Sequence, residues 1–442
     1  MVEHDIVFRI RTVQVPGTLA RALENVARFG ANIGGIETVL TTHEFNVREL
    51  TVIAPTAESV SDIRAALAAT DGVEVISQHD GVFHVHHGGK IEVRPTVEVR
   101  TIRDVRAVYT PGVARVSQAI ADDVSRANDL TWKGNTVAVV TDGSRVLGLG
   151  DVGPAAALPV MEGKALFYSM LVGINAVPIV LGVHEPADII AVVKAIAPGF
   201  GGIHLEDIAS PGVYRVEDEL KEALDIPVMH DDQHGTAVVV LAGVLSAARK
   251  SDRSLDELVL GQVGLGAAGS AIAALALGFP FARVLAFDPV ADAGARMASV
   301  GHDYADRLEI LGGGEGFGEV VKRSDVLIMT SGKAGLLSAS DVRAGSIVFA
   351  LSNPVPEIDR REALAAGAAV AADGSIVNNV LAYPGLFKGA MMSGSSSISF
   401  AMKLAAAECL AELAGEELLP NPLDTAVHSA VAAAVSAAAG AP

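Results

Sequence analysis

Hydrophobic and polar residues alternate in DIVFRIRTV, residues 5–13, with the two-residue period of a β-strand. The next segment, LARALENVARFG, has apolar residues at helical spacing and ends at Gly30. The runs that follow predict, in order, two strands (33–41 and 46–54), a helix (SVSDIRAALAAT) and a last strand region that comprises VEVISQH and VFHVHH. This βαββαβ order predicts a ferredoxin-like domain over residues 1–88.

From about residue 100 the pattern changes to helices that alternate with short, continuously apolar runs. Such runs are typical of parallel strands that are covered on both faces. The strand candidates are 135–141, 177–183, 201–205 and 226–230, and the helix candidates between them are DIIAVVKAIA and VEDELKEAL. The pattern therefore predicts a parallel α/β domain over residues 89–250.

A third block begins near residue 255 with LVLGQVGLGAAGSAIAALAL. Its glycines have the spacing G-x-G-x-x-G, with an apolar strand before them and an apolar helix after them. The next strand ends at Asp288, 24 residues after Gly264. This arrangement is typical of a dinucleotide-binding βαβ unit, and it predicts a Rossmann domain with C-terminal helices over residues 251–442. The Ala-rich tail, AVAAAVSAAAGAP, predicts a last helix that frays.

The glycine-rich turn supplies the candidate cofactor-binding residues, which are Gly264, Gly266, Ala267, Ala268 and Gly269. Small residues let the backbone approach a pyrophosphate, and the N-terminus of the following helix faces its negative charge. Asp288, at the end of the second strand, suits the free 2′-hydroxyl of NAD and repels the 2′-phosphate of NADP. We therefore expect NAD, and NADP less readily.

The composition argues against several classes of partner. A net charge of −19 argues against nucleic acid and against an anionic membrane surface, because both bind basic residues. The N-terminus carries charges where a signal peptide needs an apolar run, and Pro280 and Arg283 interrupt the long apolar stretch 271–287. Cys409 is the single cysteine, so no disulfide forms within the chain. We expect a cytoplasmic protein without a membrane span.

Two pairs of acidic residues directly follow predicted strands. Glu206 and Asp207 end one strand, and Asp231 and Asp232 end the next. Open parallel sheets bind their ligands at the carboxyl ends of the strands, so these four acids should lie close together. Clustered carboxylates are typical ligands of Mg²⁺ or Mn²⁺. The alternative, acids that merely cap helices, accounts less well for two pairs in matching positions.

Two other segments contain candidate acid–base residues. Tyr109 lies in the turn YTPGV, and Lys164 lies in EGKA, which we expect to open the helix LFYSMLVGI. The helix dipole disfavours a positive charge at that end, so such a lysine should lose its proton more readily and suit the role of a base. The alternative is a solvated surface lysine.

Seven segments resemble motifs of the malic enzyme family and occur in the family's order. They are YTPGVA (109–114), VTDGSRVLGLGDVG (140–153), EGKA (162–165), LEDI (205–208), HDDQHGT (230–236), ALSNPVPE (350–357) and NNVLAYPG (378–385). The family oxidises malate with NAD(P)⁺ and decarboxylates it to pyruvate. The resemblance implies metal-dependent oxidative decarboxylation of (S)-malate to pyruvate and CO₂, with NAD and with Mg²⁺ or Mn²⁺.

The same resemblance implies roles for individual residues. Tyr109 is expected to be the acid that protonates enolpyruvate, and Lys164 the base that removes the proton of the 2-hydroxyl. Asp231 is expected to be the partner of Lys164. Arg145 resembles an arginine that clamps a carboxylate of the substrate.

The implied metal ligands are Glu206, Asp207 and Asp232. Asn353 and Asn379 resemble amides on the substrate side or the nicotinamide side of the family's site. His204 is a departure, because the family commonly has Asn at this position.

The stretch VPGTLARALENVARFGANIGGIE resembles the start of ACT domains, which usually bind amino acids at paired interfaces. This resemblance implies a regulatory domain at residues 1–88 with an amino-acid or other small-molecule effector. It also implies a homodimer or a homotetramer.

Two alternatives to oxidative decarboxylation remain open from the sequence. One is malolactic chemistry, in which NAD stays bound and lactate is released. The other is a non-catalytic amino-acid sensor on an enzyme scaffold, although a sensor has no need of Tyr109, Lys164 and the acid cluster.

Overall fold

The computed structural model of the 442-residue chain describes residues 4–146, 149–300 and 306–440. The chain divides into two compact units, Met1–Glu92 and Val93–Pro442. The domain boundaries at residues 88 and 250 stay predictions, because the second unit contains two parallel sheets that share one hydrophobic core.

The first unit is an antiparallel sheet that two helices cover on one face. Its elements are β1 (His4–Val13), α1 (Thr18–Ala27), β2 (Asn32–Thr41), β3 (Phe45–Ala54), α2 (Ala57–Ala68), β4 (Val73–Asp80) and α3 (Gly81–His86). Within the described residues the strand order is β2-β3-β1-β4, as in ferredoxin-like folds. Ile6, Phe8 and Ile10 of β1 face the core, so the alternation in the sequence identifies the buried face correctly.

The stretch VFHVHH forms the helix α3, so the prediction of a strand there is wrong. Asp80 caps this helix, because its Oδ1 accepts a hydrogen bond from the backbone N–H of Phe83 across 3.0 Å. Alternation over six residues is too short to distinguish a strand from one and a half helical turns. The capping aspartate is the local feature that favours the helix.

The second unit begins with α4 (Ile102–Val108), α5 (Val113–Asp122) and α6 (Ala127–Leu130), none of which has a buried residue. The first parallel sheet follows, with β5 (Thr136–Thr141), α7 (Pro154–Val172), β6 (Asn175–Val180), α8 (Pro186–Ile196), β7 (Gly202–Leu205), α9 (Gly212–Ala223), β8 (Val228–His230) and α10 (Asp231–Lys250). In the described part of the chain its strand order is β6-β5-β7-β8. Every residue of β5 and β7 is buried, as expected for strands covered on both faces.

The second parallel sheet comprises β9 (Val259–Val263), α11 (Ala267–Ala276), β10 (Arg283–Phe287), α12 (Ala291–Val300), β11 (Leu308–Leu311), α13 (Gly316–Arg323), β12 (Val326–Met329), β13 (Ile347–Ala350), α14 (Arg360–Ala365) and β14 (Val370–Asp373). Helices α15 (Tyr383–Ser393), α16 (Phe400–Leu413) and α17 (Thr425–Ala437) complete the described chain. The strand order β11-β10-β9-β12-β13-β14 is the 3-2-1-4-5-6 order of dinucleotide-binding folds. The predicted Rossmann topology is therefore confirmed.

Helix α10 lies in the core that the two sheets share. All of its residues from Ala237 to Ala248 are buried. The same core includes Val139 of the first sheet and Ile328 of the second. Because close packing on all sides fixes this helix, it also fixes Asp231 and Asp232 in its first turn.

Helix α7 begins at Pro154, ten residues before Lys164, so the prediction that Lys164 opens a helix is wrong. Proline is favoured at the first helical position, which explains the earlier start. Helix α7 is also the one described helix that is long and apolar enough to cross a membrane. Its Met161 and Tyr168 lie in the shared core, so α7 is a core helix of this fold.

The Ala-rich tail forms α17, which is packed rather than frayed within the residues described. Val431 and Val435 are fully buried. Small side chains on α17 let it approach α15 closely: a Cβ added at Gly389 of α15 would lie 2.6 Å from Val435. Alanine serves close packing in this helix, and the last two residues of the predicted tail, 441 and 442, lie outside the described residues.

Candidate active site

Lys164 forms two ion pairs at the carboxyl edge of the first parallel sheet. Its Nζ lies 2.6 Å from Asp231 Oδ2 and 2.8 Å from Glu206 Oε1. The Lys164 side chain is 14% exposed, and that of Asp231 is fully buried. Glu206 follows β7 and Asp231 follows β8, so neighbouring strand ends bring them together while α7 supplies the lysine.

The two carboxylates hold Lys164 in its charged form. Burial by itself lowers the pKa of Lys164, but the charges of Asp231 and then Glu206 outweigh burial, and the pKa lies well above its usual range. The expectation of a lysine that loses its proton readily is therefore wrong for this arrangement. Lys164 lies in the middle of α7 and faces two acids, so the dipole at the helix end has little influence on it.

Asn379 contacts the partner of the lysine. Its Nδ2 donates hydrogen bonds to Asp231 Oδ2 across 3.2 Å and to Thr236 Oγ1 across 3.0 Å. Tyr383, in the same motif, lies below the ammonium, with its ring centroid 4.8 Å from Lys164 Nζ. The segment before α15 therefore helps to build the Lys164 site. Tyr383 is a site residue that was not predicted from the sequence, although the motif NNVLAYPG contains it.

Glu206, Asp207 and Asp232 place carboxylate oxygens within 4.8 Å of one another. Asp207 has φ 52°, in the left-handed region that aspartate tolerates better than most residues, and its N–H donates to Asp232 Oδ2 across 3.2 Å. Three carboxylates this close repel one another unless a cation lies among them. The set therefore fits a hard divalent cation with oxygen ligands.

The pKa values of Glu206 and Asp232 are shifted in opposite directions. Burial raises the pKa of Glu206 to about 7, with the charge of Asp232 adding to the effect and Lys164 opposing it. Burial also raises the pKa of Asp232, but the hydrogen bond and charge of His230, together with Lys164, lower it to about 2. The positive charges of the protein therefore do not fully stabilise the ionised form of Glu206, and a bound cation would add the missing positive charge.

A second group with metal-ligand spacing contains His204, Glu206 and Asp231, but it fits a metal less well. The Tyr168 hydroxyl lies 2.9 Å from His204 Nδ1, and His204 Nε2 lies 2.8 Å from Glu206 Oε2. Burial lowers the pKa of His204 to about 3, so the ring is neutral, and with Tyr168 donating to Nδ1 the Nε2–H donates to Glu206. His204 therefore orients Glu206 through its hydrogen bond.

A buried polar network lies behind the first turn of α10, and the sequence analysis missed it. Glu217 of α9 accepts hydrogen bonds from the backbone N–H of His230 and from Gln233 Nε2, both across 3.0 Å. Its Oε1 also lies 3.0 Å from His234 Nε2 and 2.7 Å from Lys221 Nζ. Burial raises the pKa of Glu217, but His234 and Lys221 outweigh it and hold the carboxyl ionised.

Glu217 lies in VEDELKEAL, whose acids looked like ordinary capping residues. One signal was present: Glu217 falls on the apolar face of α9, between Val213, Val216 and Leu220, all of which are buried. A charged residue on such a face requires partners. The residues Gln233 and His234 of HDDQHGT are those partners.

The glycine-rich turn lies between β9 and α11, where the strand order of the second sheet reverses. Gly264 has φ 89°, and a Cβ added at Gly269 would lie 1.8 Å from the carbonyl oxygen of Gly264. Gly266 faces open space at the start of α11, followed by Ala267 and Ala268. The turn therefore fits a dinucleotide, with room for a pyrophosphate at the helix N-terminus.

Asp288 follows β10 and helps to hold this turn. Its Oδ2 accepts a hydrogen bond from Leu265 N–H across 2.6 Å, and its Oδ1 accepts one from Val290 N–H across 2.8 Å. Two carboxylate oxygens can accept about four hydrogen bonds, so the group retains capacity for a ribose hydroxyl.

Within the described residues, no hydrogen bond or ion pair links the Lys164 cluster to the side chains of Tyr109, Arg145 and Asn353. The Tyr109 side chain is 69% exposed. Arg145 is also exposed, and only its backbone N–H reaches the site, donating to the Asp207 carbonyl across 3.1 Å. Asn353 is exposed after β13, next to Gly374.

The Rossmann sheet, the glycine-rich turn and the lysine–carboxylate cluster together define a dinucleotide-dependent oxidoreductase. The model of the family described as malic enzyme, N-terminal domain, matches residues 88–188. The chain is 43% identical over 432 residues to NAD-dependent malic enzyme 1 of Bacillus subtilis, an alignment that covers 97% of this chain and 96% of that protein. This chain belongs to the malic enzyme family.

Two further relatives support the assignment. The bifunctional malic/malolactic enzyme of Bacillus subtilis is 40% identical over 387 residues, which are 82% of this chain and 93% of that protein. The crystal structure of an NAD-dependent malic enzyme from Thermotoga maritima is similar with a TM-score of 0.75 at 38% identity, covering 81% of this chain and 99% of that one.

Proposed function

We propose that this protein catalyses oxidative decarboxylation of (S)-malate with NAD⁺, giving pyruvate, CO₂ and NADH. The observation that carries the proposal is the ion-paired cluster of Lys164, Asp231 and Glu206 beside a Rossmann sheet. Two relatives over most of the chain's length are NAD-dependent malic enzymes by name, which supports the same substrate and cofactor.

The chain contains residues that fit a divalent cation and a dinucleotide. Glu206, Asp207 and Asp232 would hold Mg²⁺ or Mn²⁺, and the turn from Gly264 to Gly269 would hold NAD⁺, with Asp288 at its ribose. When bound, NAD⁺ would supply a hydride acceptor, and the cation would supply positive charge that stabilises the negative charge formed during decarboxylation. The remaining proton chemistry falls to side chains of this chain.

Lys164 is the residue that removes the proton of the malate 2-hydroxyl. Its amine must be neutral to do so, and the two carboxylates beside it oppose this. Glu206 belongs to the metal set as well, so its carboxylate would be shared with a bound cation, and Lys164 would then lose part of the negative charge that raises its pKa. Asp231, held by Asn379, keeps the amine in position throughout.

Tyr109 is the residue that returns a proton to C3 after decarboxylation, and Arg145 is the candidate partner of a substrate carboxylate. The phenol O–H of a tyrosine can act as the proton donor in such a step. Asn353, at the end of β13, lies on the cofactor side of the second sheet.

The first unit is proposed to regulate the enzyme. On the sheet face opposite the helices, a groove of about 640 Å³ is lined by residues that include Arg9, Glu49 and His79. Charges of both signs line this groove, which suits a zwitterion such as a free amino acid. Deleting residues 1–92 should leave malate turnover and abolish any response to amino acids. A cytoplasmic location and a homo-oligomer stay predictions.

Malolactic decarboxylation is a second candidate, because one relative at 40% identity is a bifunctional malic/malolactic enzyme. The two functions are distinguished by assaying free NADH and L-lactate in one reaction with (S)-malate, NAD⁺ and Mn²⁺. The proposal predicts NADH and pyruvate in equal amounts, no L-lactate, and loss of both products in Lys164→Ala. L-lactate without free NADH would establish the second candidate instead.

A further inference from the structure

Glu357 is a fully buried acidic residue to which the proposed reaction gives no role. It ends the motif ALSNPVPE and lies in the loop after β13. Its Oε1 accepts hydrogen bonds from the backbone N–H and the hydroxyl of Ser331, both across 2.8 Å, and from the hydroxyl of Ser352 across 2.6 Å. Its Oε2 accepts one from the Ser352 N–H across 3.1 Å. Two carboxylate oxygens accept about four hydrogen bonds, so these donors fill the group.

These four hydrogen bonds join two loops of the second parallel sheet. Ser331 follows β12 and Ser352 follows β13, and the two strands are neighbours in the sheet. Two further hydrogen bonds connect the same loops: Gly332 N–H donates to Ser352 Oγ across 2.8 Å, and Leu337 N–H donates to the Glu357 carbonyl across 3.0 Å. We refer to Glu357, Ser331 and Ser352 as the loop clamp.

A buried acidic side chain is a costly means of joining two loops. Its removal from water must be offset by hydrogen bonds from the protein. Hydrogen bonds to a carboxylate are shorter and stronger than those between neutral groups, so they fix the geometry of their donors more closely. The loop clamp therefore favours one conformation of both loops.

The loop clamp lies on the half of the second sheet that suits the nicotinamide end of NAD. A dinucleotide lies across the carboxyl ends of the strands, with one nucleotide on each half of such a sheet. Asp288 follows β10 and identifies the half that receives the adenosine ribose. The half that contains β12 and β13 is left for the nucleotide with the nicotinamide.

The position of the Lys164 cluster supports the same orientation. Asn379 follows β14, on the half of the sheet that contains the loop clamp, and its Nδ2 donates to Asp231 Oδ2 across 3.2 Å. Asp231 in turn contacts Lys164. Hydride transfer needs the nicotinamide beside the substrate, so the nicotinamide belongs on the half that borders this cluster.

Residues next to the loop clamp are exposed and available to a ligand. Lys333 is exposed after β12, and its backbone N–H donates to Ser331 Oγ across 3.1 Å. Asn353 is exposed after β13 and directly follows Ser352. The loop clamp thus fixes the backbone that carries these two exposed residues.

We propose that Glu357 is a positioning residue for the nicotinamide half of NAD. Glu357 is fully buried, so it acts through the two loops, which it holds in the conformation that receives the nicotinamide and its ribose. Without the loop clamp this conformation is less populated, and the apparent affinity falls with its population. The proposal rests on the NAD site of the function proposed above.

Glu357→Gln tests the proposal with two ligands that share the adenosine half. At either oxygen position the new amide nitrogen would meet a backbone N–H, of Ser331 or of Ser352, and could accept no hydrogen bond. The dissociation constant for NADH, measured from nicotinamide fluorescence, should rise by about tenfold or more. The dissociation constant for ADP-ribose, which lacks the nicotinamide, should stay at the wild-type value by calorimetry.

A matched control removes the same charge nearby. Glu362 is an exposed residue of α14, so Glu362→Gln should change neither dissociation constant. Equal weakening of NADH and ADP-ribose binding in Glu357→Gln would mean that Glu357 serves the fold alone, and it would overturn the proposal. Unchanged NADH binding in that variant would overturn it as well.

A milder variant covers the case in which Glu357→Gln does not fold. Ser352→Ala keeps Glu357 and removes the hydroxyl that connects it to Gly332 N–H. It should weaken NADH binding, by less than Glu357→Gln, and leave ADP-ribose binding unchanged; absence of this selective loss would overturn the proposal. Malate turnover by the wild type is a separate measurement. If turnover is absent while NADH binding responds as described, the proposed reaction is wrong and the role of Glu357 stands.

Discussion

Asp231 and Asp232 are neighbours in sequence but face different partners. Asp231 contacts Lys164 and Asn379, whereas Asp232 contacts His230 and the backbone of Asp207. The first two residues of a helix point in directions about 100° apart, which explains how adjacent carboxylates serve two purposes. One carboxylate positions the base, and the other completes the acid set.

The two aspartates should therefore differ when each is changed to asparagine. Asp232→Asn should raise the Mn²⁺ concentration needed for half-maximal turnover by about tenfold or more, because a hard cation loses a charged ligand. Asp231→Asn should mainly lower kcat and change the pH profile, because Lys164 loses its fully buried partner. Titrating Mn²⁺ against turnover for each variant provides the measurement. Identical metal dependence and identical pH profiles in the two variants would refute this division.

Asp288 should make the enzyme prefer NAD⁺. Its carboxylate, fixed by two backbone N–H groups, would repel the 2′-phosphate of NADP⁺. Arg296 does not offset this charge, since it lies over the ring of Tyr214, 5.2 Å from the centroid. The ratio of kcat/KM for NAD⁺ over NADP⁺ should exceed about tenfold, which corresponds to about 1.4 kcal/mol. Asp288→Ser should reduce the ratio, and a wild-type ratio near one would count against the assignment.

At the scale of elements, the two glycines at the start of α11 should have different roles: Gly269 is needed for folding, and Gly266 for cofactor binding. Gly269→Ala should destabilise the fold, because its Cβ would lie 1.8 Å from the Gly264 carbonyl oxygen. Gly266→Ala should leave the melting temperature nearly unchanged, because a Cβ there meets no atom within 4 Å. It should weaken NAD⁺ binding, since the methyl group would occupy space that the pyrophosphate needs. Thermal melts and NAD⁺ titrations of both variants test this, and equal melting temperatures would contradict it.

Lys403 of α16 is buried against α10, and its protonation should affect the stability of the fold. Lys403 Nζ lies 3.0 Å from His234 Nδ1. Burial, followed by the charge of Lys221, lowers the pKa of Lys403 to about 7, although Glu217 opposes this. Between pH 7 and the unfolded value of 10.5, the unfolded chain binds more protons at this residue than the folded chain. The contribution of Lys403 to stability should therefore rise with pH across this window.

The free energy of unfolding of the wild type relative to Lys403→Met measures this contribution. The difference should increase in favour of the wild type from pH 7 upward, by at most about 1.4 kcal/mol per pH unit. Lys194→Met, which changes an exposed lysine on α8, should show no such trend. If the difference in unfolding free energy between the wild type and Lys403→Met does not vary with pH, the pKa of Lys403 is not lowered by folding.

The sequence was informative where local pattern and topology agree. Continuous apolar runs identified the four strands of the first parallel sheet and the strands β9 and β10 of the second. The acids that follow β7 and β8 lie together because parallel strands end at one edge. The start of α7 was missed because Gly163 near Lys164 resembled a helix boundary, whereas Pro154 sets it. Glu217 was missed because its partners lie on another helix, and contacts between distant segments leave little trace in a local pattern.

At the scale of the whole molecule, the placement of Tyr109 could not be predicted from the sequence. A motif identifies residue types but not whether their side chains are buried, and the 69% exposure of Tyr109 became apparent only in the fold. The two parallel sheets, by contrast, share one core, so the metal set, the lysine and the glycine-rich turn belong to one packed body.

In the proposed reaction, malate loses a hydride from C2 and CO₂ from C4, and gains a proton at C3, within one site. The most direct test is to supply (S)-[2-²H]malate with NAD⁺ and Mn²⁺, and, in a parallel reaction, unlabelled malate in D₂O. We expect the C2 deuterium to appear in NADH, and pyruvate formed in D₂O to carry one deuterium in its methyl group. NADH without label, or oxaloacetate that accumulates without release of CO₂, would contradict it.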